Sequence, residues 1–284
     1  MINDIIMSMR PKQWYKNFVL FAGIIYSVNL FHIYMWITVF FSFIIFCMLS
    51  GSEYIINDIM DKERDRIHPK KCNRPIASGK LRISHALIFV AFMLSAALVG
   101  AYLINTQFLE ISLAYFILII FYSSFLKHIA IVDVLTISVG FVQRAIAGCV
   151  AIRVSVSSWL IICAFLVALF LALGKRRHEL ILLENGATSH RKVLNDFSTE
   201  MLEKMTTITT STLIMSYSLY TFLTSNTWMM LTIPIIIYGI FRYILLVHST
   251  NVGGEPEILF KDLGMLTCII LWAVSTVGII YVIK

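Results

Sequence analysis

Charge is scarce in this chain. Only 14% of its 284 residues are Asp, Glu, Lys or Arg, against about 25% in a soluble globular domain. With 59% hydrophobic residues and a mean hydropathy of +0.84, the shortfall excludes a soluble enzyme and points to an integral membrane protein. No nucleic-acid partner is expected. Ligand-spaced cysteine is missing too. Cys47, Cys72, Cys149, Cys163 and Cys268 share no C-x-x-C spacing, so neither zinc nor disulfides are expected. Runs of alternating polarity are absent, which excludes a β-barrel. No A-x-A-like cleavage site follows the N-terminus, and Met1–Lys16 reads as an amphipathic lead-in with Arg10, Lys12 and Lys16. No stretch between apolar segments is long enough for a second domain, so one domain is expected over 1–284.

A transmembrane helix needs about 20 predominantly apolar residues. Nine segments qualify, roughly 17–34, 36–56, 84–104, 109–126, 131–151, 158–174, 205–224, 228–247 and 264–283. The expected fold is an all-α, polytopic membrane bundle of about nine helices. Two long charged loops, 57–83 and 175–204, stand out against short, nearly uncharged ones. Lys and Arg crowd one side: Arg10, Lys12 and Lys16, eight basic residues from Lys62 to Arg82, Lys127, Lys175–Arg177, Arg191, Lys192, Lys204 and Lys261. Arg153 and Lys284 fall on the other. By the positive-inside rule the N-terminus is cytosolic, the C-terminus external, and the two loops cap the cytosolic face. Both loops follow an even-numbered segment, which hints at a duplicated unit of about four helices.

The row N-D-I-M-D-K-E-R-D places Asn57, Asp58, Asp61 and Asp65 at the end of the second segment. At helical pitch their spacing sends them off roughly one face. Clustered carboxylates repel unless a cation neutralises them, and an oxygen-only set suits Mg²⁺ completed by substrate phosphates. The basic loop follows at once. Arg74-Pro75 and Ser78-Gly79 read as turns that fold it back, with Arg74 as a phosphate contact and His68 as a turn residue. Arg144 lies well inside a span, where a charge faces the bundle interior or a water-filled cavity. Asp133 falls near the same face about three turns earlier, and Glu53 is a candidate partner for Arg144. Lys12, Lys16, Asn57, Tyr122, Lys127, Asp133, Lys175 and Arg176 complete the expected substrate-binding set. This much cation exceeds the need of one Mg²⁺-pyrophosphate and fits two phosphate-bearing substrates. The turn Gly253-Gly254-Glu255-Pro256 precedes the last segment.

N-D-x-x-D-x-x-x-D with R-P-I-A-S-G behind it resembles the UbiA-type intramembrane prenyltransferase superfamily. That resemblance implies nine transmembrane helices and a Mg²⁺-dependent site open to the cytosol. Most members carry a second acidic D-x-x-x-D motif after the sixth span, where this chain has Gly174-Lys175-Arg176-Arg177-x-Glu179-Leu180. R-P-K-Q-W-x-K-N, Tyr122…Lys127…Asp133-Val134-Leu135, Gly140-Phe141…Arg144-Ala145 and G-K-R-R-x-E-L are similar to the decaprenyl-phosphate phosphoribosyltransferase branch. The branch implies transfer of ribose 5-phosphate from phosphoribosyl pyrophosphate to a polyprenyl phosphate, in a bacterial plasma membrane with the site facing the cytosol. In that scheme Asp58, Asp61 and Arg144 are catalytic, and Asn57, Asp58, Asp61 and Asp65 hold Mg²⁺. Two other readings stay open: a prenyl-pyrophosphate-dependent transferase with a small acceptor, and a lipid transporter or flippase. Oligomeric state also stays open.

Overall fold

A computed structural model of the chain describes residues 2–68, 71–184, 196–224, 226–249 and 261–282. Pro69 and Lys70 of the basic loop, Arg191 and Lys192, the turn at 253–256 and Lys284 lie outside the described residues. In a lipid core a backbone N–H or C=O finds no water, so an apolar segment must close its hydrogen bonds on itself. Eight of the nine apolar segments are accordingly α-helical, and no strand occurs among the described residues. The helices are α1 (Ile2–Ser8), α2 (Ala22–Tyr26), α3 (Ile33–Met60), α4 (Lys62–Ile67), α5 (Ile83–Ile104) and α6 (Thr106–Ser124). They continue with α7 (Val132–Ala151), α8 (Ser158–Glu184), α9 (Thr199–Leu223), α10 (Ile233–Ser249) and α11 (Leu263–Val282).

Among the described residues seven helices are long and apolar enough to cross a bilayer: α3, α5, α6, α7, α8, α10 with its leading turn, and α11. α9 falls short because Glu200, Glu203 and Lys204 open it and Thr206, Thr207, Thr209, Thr210 and Thr212 follow. Several of these hydroxyls bond back to the helix, as Thr206 does to the Leu202 carbonyl at 2.7 Å, which hides their polarity. Large apolar side chains such as Phe41, Ile88, Phe92 and Phe222 are exposed, the disposition of a protein solvated by acyl chains.

Three expectations need correction. Segment 17–34 is not one helix. A 3-10 helix opened by Pro11 covers Pro11–Phe21 and runs into the five-residue α2, and the path stops there as Val28 takes φ 62. The loop at 57–83 is partly helical, since α3 continues to Met60 and α4 follows directly. The loop at 175–204 begins late, because α8 carries Lys175, Arg176 and Arg177 on to Glu184.

The chain forms two compact units: Met1–Phe125 with Gln143–Val156, and Leu126–Val142 with Ser157–Lys284. In the first, Leu20, Ile24, Phe46, Leu49, Phe108, Tyr115 and Ala147 form the core. Gly148 permits the tightest approach there: a Cβ on it would lie 2.0 Å from the Leu20 carbonyl oxygen, so the 3-10 segment rests directly on the second half of α7. In the second unit, Leu166, Phe170, Leu213, Tyr243 and Met265 pack between α8, α9, α10 and α11. A smaller cluster holds Val134, Leu173 and Leu202.

Candidate active site

In the first unit α3 ends where its apolar residues run out, and Asp61 closes it at φ −90, ψ 5. α4 starts at the next residue, so Asp58 and Asp65 stay close although a helix boundary separates them. Both are buried, at 2% and 3% exposure. A carboxylate in that setting is costly unless it is paired, and two arginines supply the pairing. Arg74 Nη1 donates to Asp58 Oδ1 at 3.1 Å and to Asp65 Oδ2 at 2.6 Å. Arg10 donates to Asp58 and lies over the Tyr54 ring, 4.7 Å from its centroid. Asn57 Nδ2 donates to Asp61 Oδ2 at 3.1 Å.

The turn expected after Arg74 is present: the Leu81 N–H reaches the Pro75 carbonyl at 2.9 Å, and Gly79 takes φ +80 with open space around it. Only glycine adopts that backbone freely, so the turn that carries Arg74 is fixed locally. His68 accepts the Lys71 N–H at its Nδ1, 3.3 Å away. Burial, then the Lys71 charge, holds its imidazole below the usual histidine range, so it is neutral and serves the turn.

Deeper in the same unit Arg144 is 6% exposed. Its Nε donates to Asn17 Oδ1 at 2.8 Å and its Nη2 to the Tyr115 hydroxyl at 2.5 Å, with the Tyr115 ring centroid 4.7 Å from Cζ. Asn17 reaches it because the 3-10 segment packs on Gly148. Asn17 Nδ2 also points to Ser50 Oγ at 3.4 Å. Glu53, the partner considered for Arg144, accepts from Ser123 Oγ at 3.0 Å.

The basic motif of the second unit is divided among three partners. Arg176 donates from Nε and Nη2 to Asp133 and from Nη1 to Glu179 Oε2 at 2.5 Å. Asp133 and Arg176 are 0% and 1% exposed. Arg177 Nη2 binds Glu203 Oε1 at 2.9 Å on α9. Arg242 holds Asp262 at 2.8 Å and 3.0 Å, and that guanidinium keeps the Asp262 carboxyl below its usual range.

The model of the UbiA prenyltransferase family matches residues 18–260. The chain belongs to that family. One family model therefore spans both compact units. The chain is 30% identical over 295 residues to decaprenyl-phosphate phosphoribosyltransferase of Mycolicibacterium smegmatis, covering 98% of this chain and 92% of the relative. It is also 30% identical over 291 residues to the Corynebacterium glutamicum protein of the same name, at 99% and 87% coverage. A solved structure of a UbiA homolog from Archaeoglobus fulgidus bound to GPP and Mg²⁺ matches with a TM-score of 0.74 and 16% identity, covering 98% of this chain and 100% of that one. That likeness confirms the fold.

Against this UbiA fold the expected site residues divide. Lys12, Lys16, Asn57, Asp58, Asp61, Asp65, Arg74, Tyr122 and Arg144 fall in the first unit; Lys127, Asp133, Lys175 and Arg176 fall in the second. Asp133 and Arg144, expected on one face of one helix, belong to different units although α7 carries both. Asp58, Asp65 and Arg74 do come together. Sequence reasoning missed Arg10 as a partner of Asp58, and Asn17 and Tyr115 as partners of Arg144. The K-N that ends R-P-K-Q-W-x-K-N contains Asn17 but carries no sign of its partner, 127 residues away. Among the described residues no three His, Cys, Asp or Glu side chains converge as a metal shell. Asn57, Asp58, Asp61 and Asp65 nevertheless present oxygen donors only, two of them on buried carboxylates that already demand positive charge. That donor set fits a hard divalent cation, provided Arg10 and Arg74 give way.

Proposed function

We propose that this membrane protein transfers the 5-phosphoribosyl group of phosphoribosyl pyrophosphate to a polyprenyl phosphate, releasing pyrophosphate. The observation that carries the reading is the carboxylate row of α3 and α4 gripped by Arg10 and Arg74. It is supported by near full-length similarity to relatives named for decaprenyl-phosphate phosphoribosyl transfer. Asn57, Asp58, Asp61 and Asp65 would hold Mg²⁺, which when bound neutralises charge on the departing pyrophosphate.

The rest falls to the chain itself. Arg10 and Arg74 exchange their carboxylate partners for diphosphate oxygens, a guanidinium being equally suited to either. The bond from C1 of the ribose to the pyrophosphate oxygen breaks, and the electron pair leaves with pyrophosphate. A polyprenyl phosphate oxygen attacks C1 from the opposite face through an oxocarbenium-like centre, as in other glycosyl transfers. That oxygen is already anionic at neutral pH, so no strong general base is needed. Arg144, oriented by Asn17 and Tyr115, stabilises charge at the buried end, while Lys12 and Lys16, with Tyr122, take the remaining phosphates. Asp133 and Arg176 act by holding the start of α7 to α8. The carboxylate row faces the cytosol of a bacterial plasma membrane in this scheme, with the N-terminus inside and the C-terminus outside.

The test is direct. Purified protein in nanodiscs with Mg²⁺, phosphoribosyl pyrophosphate labelled in the ribose, and a polyprenyl phosphate is expected to yield lipid-linked label. Turnover of a prenyl pyrophosphate with a small acceptor, and no labelled lipid, overturns the assignment.

A further inference from the structure

One buried acid in the first unit is left without use by the mechanism above. Glu53 sits on α3 at 8% exposure, four residues before Asn57 and eight before Asp61, so the three stand in a column on one helix face. Its Oε1 accepts from Ser123 at 3.0 Å, and its Oε2 has no hydrogen-bond partner among the described residues. Arg10, Lys16 and Arg144 all act on it electrostatically, yet among the described residues none forms an ion pair with it. A carboxylate at that depth normally closes on a cation. Here the cations stand off, and one carboxylate oxygen is left over.

We infer that Glu53 is the specificity residue for the donor's sugar, accepting a hydrogen bond from a ribose hydroxyl through Oε2. This rests on the proposed phosphoribosyl transfer. A ligand that satisfies both Glu53 and the cations around it must carry O–H donors and phosphate on the same small frame. A sugar phosphate does. A prenyl diphosphate has no hydroxyl, and against Glu53 it sets only like charge. Ser123 holds the carboxylate in place, and the column down α3 sets Glu53 about two turns from Asp61, the length of a pentose beside a diphosphate.

The experiment compares phosphoribosyl pyrophosphate with its 2-deoxy and 3-deoxy analogues, reading kcat and KM for pyrophosphate release. The wild-type protein is expected to prefer the full donor over at least one analogue by about 10- to 100-fold, the discrimination of a charged hydrogen bond. E53A is expected to lose that factor on the full donor alone, so the preference collapses while the analogue's kcat/KM stays the same. E53Q, which keeps a partner for Ser123, guards against misfolding and is expected to lose most of the preference at an unchanged melting temperature. If E53A or E53Q slows all donors alike and leaves the preference intact, the role of Glu53 is refuted and the transfer reaction stands. If the wild-type protein turns over no phosphoribosyl donor, the reaction itself falls, and the two failures are told apart.

Discussion

Breaking the Asp133–Arg176 pair from one side is expected to be far more damaging than removing it whole. Asp133 is fully buried and receives two donors of Arg176, itself 1% exposed and bonded on to Glu179. Asp133→Leu removes the carboxylate that takes two Arg176 donors, and Arg176→Met removes both of those donors from Asp133. Either is expected to cost about 3–5 kcal/mol, the cost of removing one partner from a buried ion pair. The double variant Asp133→Leu/Arg176→Met removes both charges of the pair and is expected within about 1–2 kcal/mol of wild type, so the coupling in a double-mutant cycle is large and favourable. Reversible unfolding in mixed micelles, followed by tryptophan fluorescence, gives all four corners of the cycle. Single variants near wild-type stability, or costs that simply add in the double variant, would refute the reasoning. A stable double variant that still transfers ribose phosphate supports the positioning role assigned to the pair.

Gly148→Ala places a methyl group 2.0 Å from the Leu20 carbonyl oxygen and is expected to cost about 1–3 kcal/mol, read by thermal melting. Loss of the Asn17–Arg144 bond should accompany it as reduced transfer in the folded fraction. Arg74→Ala is expected to raise the KM for the phosphorylated donor by about 10- to 100-fold, the loss of a charge-assisted contact, in steady-state assays; Arg74→Lys restores only part, since an ammonium keeps the charge that Nη1 brings to Asp58 and Asp65 but lacks the planar fork that suits a diphosphate. The folded Asp262 carboxyl lies below its ordinary value of 3.8 because Arg242 bonds it. Its stabilising contribution is thus complete above that value and is lost as pH falls through the depressed one. Melting temperature against pH should therefore drop below about pH 4, and Asp262→Asn should flatten that part of the curve.

Hydrophobic length made eight of the helices legible, because in lipid the backbone has few alternatives to a helix. It misread 17–34, where apolarity persists but the backbone is 3-10 up to Phe21 and the positive φ of Val28 breaks the path. It ended α8 too early for the opposite reason. Lys175, Arg176 and Arg177 look like a loop in sequence, yet Arg176 and Arg177 are helical and neutralised by Asp133 and Glu203, respectively 43 and 26 residues away. Pairing at that distance leaves no local trace. The burial of Arg144 could be read from its place in an apolar run, but Asn17, 127 residues distant, could not be named as its partner. The nearness of Arg74 to Asp58 and Asp65 was readable because it follows them by only 16 and 9 residues.

The two-carboxylate grip of Arg74 has a thermodynamic corollary. A polyanion that draws this guanidinium away uncovers Asp58 and Asp65 together and strengthens their attraction for a divalent ion. Reciprocity then requires the ion to favour the polyanion by an equal factor. Donor affinity measured across a magnesium titration, and magnesium affinity across a donor titration, should move in parallel, and replacing Arg74 should weaken both dependences.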